Sequence, residues 1–475
     1  HNMLNNFDEI FQAYKKHQLN LKDKNPLHYN LRFSKDEIYS NVCILGGGSA
    51  GYLTALSLKK HFKIDVTILD SSKGEPIGVG ESTTPIIKSF LFRQLGFDKK
   101  EFYEQVKPSW KLGIKFDWGL PGDYHFNYSF EWGDLLSSYK FNQTINNSSF
   151  NSLLMENDLS FIFQKTKGSY HSLSPYIRYA LHLDNKLFLE YLKKKSNEEG
   201  IKILDETVVD AVSDENGEIL YLLSDNNEKL KYDFYVDCSG FKSILLENKL
   251  GSKYIDYQDS LINDRAIVGV TNNDGMIKPY TSAITMNNGW CWNIPVREED
   301  HIGYVFSSKF TNYNDALKEV RSLYPNFEET KKIKFKTGRH KEFIIGNVAA
   351  IGNSYGFIEP LESTGLHMVI QQINLLLNNF FHLKGNPEMK TIINKNVGDH
   401  WDYVKWFIAI HFKYNKKLDS EYWKFSREFV DTSSFDFLTN LYREVGLLSR
   451  QTHSVTEQIK SCLLYTSDAA DEEDS

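Results

Sequence analysis

Cysteine is scarce in this chain: four residues, Cys43, Cys238, Cys291 and Cys462, among 475. They are scattered without C-x-x-C spacing, which argues against a disulfide scaffold and against a zinc site, so no metal is expected and a reducing cytoplasm suits the chain best. Proline is scarce as well, at 11 residues, and no Pro/Gly/Ser-rich linker divides the sequence. Long apolar runs are missing. None approaches the roughly 18 residues of a membrane span, and nothing near the N-terminus has the pattern of a signal peptide. An excess of positive charge is missing too: 55 Lys and Arg face 62 Asp and Glu, a net charge of −7. No basic surface therefore invites nucleic acid or anionic lipid. There is no internal repeat.

What the chain has is length and apolar content. With 41% hydrophobic and 25% charged residues it can bury a large core, and any domain boundary must be crossed by several chain passes. The expected organisation is an N-terminal extension over 1–38, with a short helical stretch near Phe7 to Tyr14; a core over 39–395 with an interleaved substrate region; a helical C-terminal region over 396–462; and a tail over 463–475. The tail is acidic and rich in small residues, the composition of a disordered or foreign segment. His1-Asn2 before Met3 reads as a cloning scar.

The first chemical motif is Gly46-Gly47-Gly48-Ser49-Ala50-Gly51. A short apolar run, Asn41 to Leu45, precedes it; a helical stretch, Tyr52 to Lys60, follows; then comes a second strand, Val66 to Leu69, ending at Asp70. This is a βαβ unit with an acid about 20 residues after the glycines, the arrangement that binds a dinucleotide. Gly46 allows the tight turn, Gly48 lets backbone approach a pyrophosphate at the helix N-terminus, Gly51 permits close helix packing, and Asp70 can bond a ribose hydroxyl. Two later segments, Asp233 to Gly240 and Asn347 to Asn353, read as buried strands entering tight turns. No second G-x-G-x-x-G follows.

Three further motifs stand around that unit: Gly78-Val79-Gly80-Glu81-Ser82-Thr83, Gly289-Trp290-Cys291-Trp292-Asn293-Ile294-Pro295, and Pro360-Leu361-Glu362-Ser363-Thr364-Gly365. Strand alternation puts Trp290 and Trp292 on one face and Cys291 on the other. Lys111 to Trp118 also alternates, placing Leu112, Ile114, Phe116 and Trp118 towards the core and Lys111, Lys115 and Asp117 away from it. In the third motif Ser363 or Thr364 is an N-cap candidate for an apolar helix running to about Phe381.

In this combination and order, the four motifs resemble the flavin-dependent halogenases of the tryptophan halogenase family over roughly residues 40 to 430. The resemblance implies an α/β fold: a glutathione-reductase-like, doubly wound FAD-binding domain with a mostly helical, partly sheet-bearing substrate and C-terminal region. It implies reduced FAD (FADH2) delivered by diffusion from a separate flavin reductase, and chloride, bromide or iodide as the halide. Oxygen, halide and FADH2 would yield hypohalous acid, which substitutes an electron-rich indole-like or phenolic ring. By the same resemblance Lys111, rather than Lys115, holds the hypohalous acid. Glu362 polarises it and accepts the ring proton, and Thr364 and Gly365 seat the halide. Gly78, Val79, Gly80 and Glu81 strap the flavin; Val208 lines its adenine side; Gly352 and Leu366 also contact it. Trp290 and Trp292 keep organic substrate away from the flavin.

The aromatic-rich segment Asp123 to Leu159 is a candidate cover for the substrate. His411 to Tyr414 and Leu418 to Trp423 read as packing helices with aromatic anchors. Only about 50 residues follow Trp423, fewer than free-tryptophan halogenases use as a substrate lid, so a more open site for a larger aromatic molecule is expected, and a homo-oligomer is compatible with the sequence. The competing readings are a flavin-dependent aromatic hydroxylase, which needs neither Lys111 nor the Trp-x-Trp run, and a catalytically silent flavin-binding protein.

Overall fold

A computed structural model describes residues 38–72, 80–130, 146, 149–166, 169–273, 275–437 and 440. The N-terminal helical stretch, Gly78, Val79, Cys462, the tail and part of the aromatic segment 123–159 lie outside the described residues.

The run Asn41–Leu45 is apolar on both faces, as a central strand of a parallel sheet must be. Val42 and Ile44 enter the main core, and Cys43 and Leu45 enter a second core on the opposite face. This strand lies third in a six-stranded sheet whose order is Lys202–Leu204, Asp65–Leu69, Asn41–Leu45, Phe234–Asp237, Val348–Ala350 and Ile344–Ile345. All neighbours are parallel except the last pair. The helix Ser49–Phe62 connects the first two strands in sequence and packs on the helices Asn185–Glu198 and Thr364–Asn379. Both strands expected after the glycine motif, Phe234–Asp237 and Val348–Ala350, are wholly buried and join this sheet.

A second, seven-stranded sheet takes the middle of the chain, in the order Glu328–Lys334, Arg265–Asn272, Glu299–Phe306, Gly289–Pro295, Thr281–Met286, Gly113–Asp117 and Phe126–Ser129. Thr281–Met286 and Gly113–Asp117 run parallel, and the other neighbours antiparallel. Trp290 and Trp292 share one face with ring centroids 5.7 Å apart, while Cys291 packs on the other beside Met286 and Tyr304. The helical part is C-terminal: Pro387–Tyr414, then Glu421–Phe429, whose Trp423 indole donates to the Met286 carbonyl.

The stretch Lys111 to Trp118 departs from the single alternating strand expected of it. Its core residues Leu112, Ile114, Phe116 and Trp118 are buried as expected, but Lys111 is buried too. The chain changes sheets at Leu112: Ser109–Lys111 belongs to a small sheet with Ala180–Leu183 and Glu81–Ser82, whereas Gly113–Asp117 belongs to the seven-stranded one. A Cβ at Gly113 would stand 2.3 Å from the Tyr128 carbonyl oxygen, so glycine permits the change of sheet. Among the described residues no helix is long and apolar enough to cross a membrane.

Candidate active site

The small antiparallel sheet brings Lys111 to the end of the strand that carries Glu81 and Ser82, because both strands flank Ala180–Leu183. Lys111 is fully buried; its Nζ donates to the Thr83 carbonyl at 2.8 Å and to Ser363 Oγ at 2.6 Å, with the Phe130 ring centroid 5.1 Å away. Burial draws its pKa from 10.5 down to about 7, against an upward pull from Glu362. Lys115, by contrast, is partly exposed and points to Glu156 at 3.9 Å.

Of the two N-cap candidates, Ser363 and Thr364, it is Ser363 that occupies the N-cap position of the helix Thr364–Asn379, but it makes no side-chain capping bond. Its backbone is left-handed, φ 60°, which turns the hydroxyl to Lys111 and to Ser82 Oγ, 3.0 Å away. Strain at a non-glycine residue is commonest at functional positions.

Glu362 is buried beside a helix residue that the sequence reading assigned to packing. His411 Nε2 lies 2.9 Å from Glu362 Oε1. His411 Nδ1 is 2.8 Å from the Phe407 carbonyl, which accepts only, so Nδ1 carries hydrogen. Glu362 Oε1 has no hydrogen bond of good geometry, so what faces this carboxyl oxygen is the Nε2 edge of the imidazole. His411 also stacks on Phe116, at 5.4 Å, and Phe116 on Phe126, at 4.8 Å, so aromatic rings crowd this carboxyl. Nothing in the local sequence singles out His411; only the crossing of the helix Pro387–Tyr414 over the Glu362 segment reveals it.

A cavity of about 190 Å³ is bordered by the same segment through Pro360, Thr364 and Gly365. Glu81, Trp292, Gly352, Glu359, Thr364 and Gly365 line it, together with Met368 and Trp401. Four buried polar atoms of its lining residues have no protein partner: Glu359 Oε1, Trp292 Nε1, Thr364 Oγ1 and Trp401 Nε1. Unpaired buried polar atoms are costly, so this wall suits a polar ring such as a flavin's. Burial raises the pKa of both Glu81 and Glu359 to about 7. Glu359 Oε2 accepts from the Trp290 indole at 2.6 Å and from Asn263 Nδ2 at 2.8 Å. Thus Trp292 forms wall, whereas Trp290 aims a carboxyl. Gly303 seats Trp292: a Cβ there would come within 1.9 Å of the indole. Neither Glu359 nor Gly303 was singled out from sequence.

The glycine motif leads from this cavity towards the nucleotide end. Gly46 has φ 120°, and a Cβ on Gly51 would stand 2.0 Å from the Gly46 carbonyl oxygen, as the tight turn and close packing require. A Cβ on Gly48, which is the N-cap residue, would meet nothing within 4 Å, so space is open there for a phosphate group at the helix N-terminus. The sequence reading overlooked Gly47, whose Cβ would strike the Asp70 carboxylate at 2.0 Å. Asp70 accepts from Tyr52 Oη at 2.7 Å and from Lys193, and borders a 320 Å³ surface groove with Ser72 and Asp205. Ser49 Oγ reaches Asn185 at 3.5 Å, and Ala50 Cβ would be 3.1 Å from a Cβ on Gly352. The described residues thus fit FAD at both ends. Two expected contacts lie off these walls: Val208 packs with Cys43 and Leu45 in the second core, and Leu366 is buried in the main core while Met368 faces the cavity. Asp184, Glu299 and His301 also converge, but His301 Nδ1 accepts from the Gly80 amide at 2.8 Å and Asp184 caps a helix, roles that account for two of the three.

The family model described as "Tryptophan halogenase" matches residues 41–466. The tryptophan 7-halogenase RebH of Lentzea aerocolonigenes is 28% identical over 433 residues, 85% of this chain and 81% of RebH. Among solved structures, MibH, described as a lanthipeptide tryptophan 5-halogenase, superposes with TM-score 0.84 at 37% identity, covering 89% of this chain and 83% of MibH. BrvH, a flavin-dependent halogenase from Brevundimonas sp. BAL3, gives 0.77 at 27% identity, covering 87% and 86%. With the family model and these relatives matched over most of the chain, one assignment is left: the chain belongs to the tryptophan halogenase family and is a flavin-dependent halogenase that works with a separate flavin reductase.

Proposed function

We propose that Lys111 and Glu362 are the catalytic pair, that the flavin ring occupies the cavity bounded by Trp292 and Glu359, and that the substrate is an indole of the tryptophan type carried on a larger molecule such as a peptide. Bound FADH2, which diffuses from the reductase, supplies hypohalous acid from oxygen and halide. Lys111 has two of its hydrogens committed to Thr83 and Ser363, so an ammonium has one left to donate to that acid and orient it. Glu362, with the His411 imidazole beside it, accepts the proton that the ring loses on substitution. Thr364 and Gly365 open a 16-residue helix, whose N-terminal amides and dipole favour the halide anion. Chloride or bromide both suit such a seat.

The observation that carries this reading is the complete burial of a lysine whose acceptor, Ser363, is the neighbour of Glu362. A buried ammonium costs stability and persists where chemistry requires it. The substrate class draws on MibH, whose description names a lanthipeptide tryptophan. Incubation with FAD, a flavin reductase, NADH and bromide over free L-tryptophan, indole and tryptophan-containing peptides tests it by mass spectrometry. Faster bromination of a peptide-borne indole supports the proposal, and a preference for free L-tryptophan refutes the substrate class.

A further inference from the structure

Lys111 is the first member of a longer buried chain. Ser363 Oγ is 3.0 Å from Ser82 Oγ, Ser82 Oγ is 2.6 Å from Thr281 Oγ1, and Thr281 Oγ1 is 2.9 Å from His182 Nε2. His182 Nδ1 is 3.2 Å from Ser109 Oγ, which lies 2.5 Å from the carbonyl of Pro295, the last residue of the Trp-x-Trp strand. All members except Ser82 are buried, and His182 is completely so.

The direction of every bond in this chain is fixed by its far end. A carbonyl only accepts, so Ser109 spends its hydroxyl hydrogen on Pro295 and must accept from His182 Nδ1–H. Burial, and then the Lys111 charge, hold the His182 pKa well below the ordinary histidine value, so its ring is neutral and Nε2 is an acceptor. Thr281 therefore donates to His182, Ser82 donates to Thr281, and Ser363 donates to Ser82. What Ser363 offers Lys111 is a lone pair and never a hydrogen.

We propose that His182 and Thr281 are positioning residues for Lys111, acting through Ser82 and Ser363 to keep the Ser363 hydroxyl turned as an acceptor and so to favour the ammonium form of the lysine. A serine free to rotate would donate to an amine lone pair as readily as it accepts from an ammonium, and would stabilise the neutral form. The polarised chain removes that option. It also gives the Pro295 carbonyl, at the end of the signature strand, a part in setting the charge of a lysine in another sheet. Among the described residues, the other groups facing Lys111 are the Glu362 carboxyl, which favours the ammonium, the Thr83 carbonyl and the Phe130 ring.

This inference rests on the reading of Lys111 as a catalytic lysine, and Thr281→Val tests it separately. Valine keeps the shape and breaks the chain at one link, whereas Thr281→Ser keeps the hydroxyl. In the full-length protein with FAD and reductase, the limb of the pH–rate profile belonging to Lys111 is expected to move about one pH unit lower in Thr281→Val, the size of one hydrogen bond's orientation. It should return to the wild-type position in Thr281→Ser, with FAD affinity unchanged in both. Should Thr281→Val fail to fold, Ser82→Ala breaks the next link at a partly exposed residue and carries the same expectation. A limb that stays in place in a folded Thr281→Val or Ser82→Ala protein overturns the proposal, as does a Thr281→Ser protein shifted as far as Thr281→Val. Retention of halogenation by Lys111→Ala would instead overturn the catalytic reading on which it rests.

Discussion

Replacing Lys111 by methionine should flatten one part of the protein's stability–pH curve, with no need to measure catalysis. The folded lysine has its pKa drawn from 10.5 to about 7 by burial. Below pH 7 folded and unfolded chains both hold the proton. Between pH 7 and the free-lysine value the unfolded chain holds it and the fold does not, so raising pH favours the fold. At about 1.4 kcal/mol per pH unit, burying the ammonium costs on the order of 5 kcal/mol below pH 7. About 3 kcal/mol of that is relieved by pH 9. Lys111→Met removes this dependence. It also strips Thr83 and Ser363 of their donor, but that penalty is the same at every pH. Urea unfolding of both proteins at pH 7 and pH 9 measures the effect: because the folded lysine is already half deprotonated at pH 7, the stability of wild type relative to Lys111→Met should improve by about 2 kcal/mol across that interval. An identical gap at both pH values would show that Lys111 is not a desolvated cation, and the reasoning from burial to chemistry would fail with it.

Other substitutions probe the rest of the site. Glu362→Gln should lower the rate of halogenated product about 100-fold or more while FAD affinity, read by flavin fluorescence, stays unchanged. His411→Phe keeps the aromatic stack but removes the imidazole nitrogen beside Glu362, and should reduce kcat about tenfold or more with little effect on FAD affinity. Glu359→Gln keeps an acceptor for Trp290 and Asn263 but cannot ionise; because burial raises the Glu359 pKa from 4.5 to about 7, wild type loses stability as pH rises through that window. The advantage of the variant should therefore grow from pH 5 to pH 8 in urea melts. Gly303→Ala puts a methyl into the Trp292 ring and should weaken FAD binding about tenfold, with a changed tryptophan emission spectrum and a preserved far-UV spectrum.

Much of this architecture is readable in the chain because the signals are local. Gly46 to Gly51 between two apolar runs states a βαβ unit, and Trp290, Cys291 and Trp292 state their own two faces by the strand period. Lys111 shows where such reading stops. Period-two alternation puts it with Lys115 on a polar face, and only the change of sheet at Leu112 buries it. Ser363 illustrates a second limit: propensity marks it as a cap, but tertiary contact with Lys111 and Ser82 takes its hydroxyl for another use. His411, His182 and Glu359 act through partners at least 49, 73 and 69 residues away in sequence, respectively, other than their local backbone contacts, and no short window of sequence contains such a pairing. For Glu359 the nearer hint was its place inside the Pro360 to Gly365 neighbourhood, which points to the segment and not to a second carboxyl within it.

The measurement that bears most directly on the whole account is bromide incorporation by wild type and Lys111→Ala, with FAD, a flavin reductase, NADH, oxygen and a tryptophan-containing peptide, in the presence of catalase. Wild type should give a product with the bromine isotope doublet and Lys111→Ala none, with the same FAD affinity for both. A hydroxylated product without bromine, or bromination undiminished in Lys111→Ala, would contradict it.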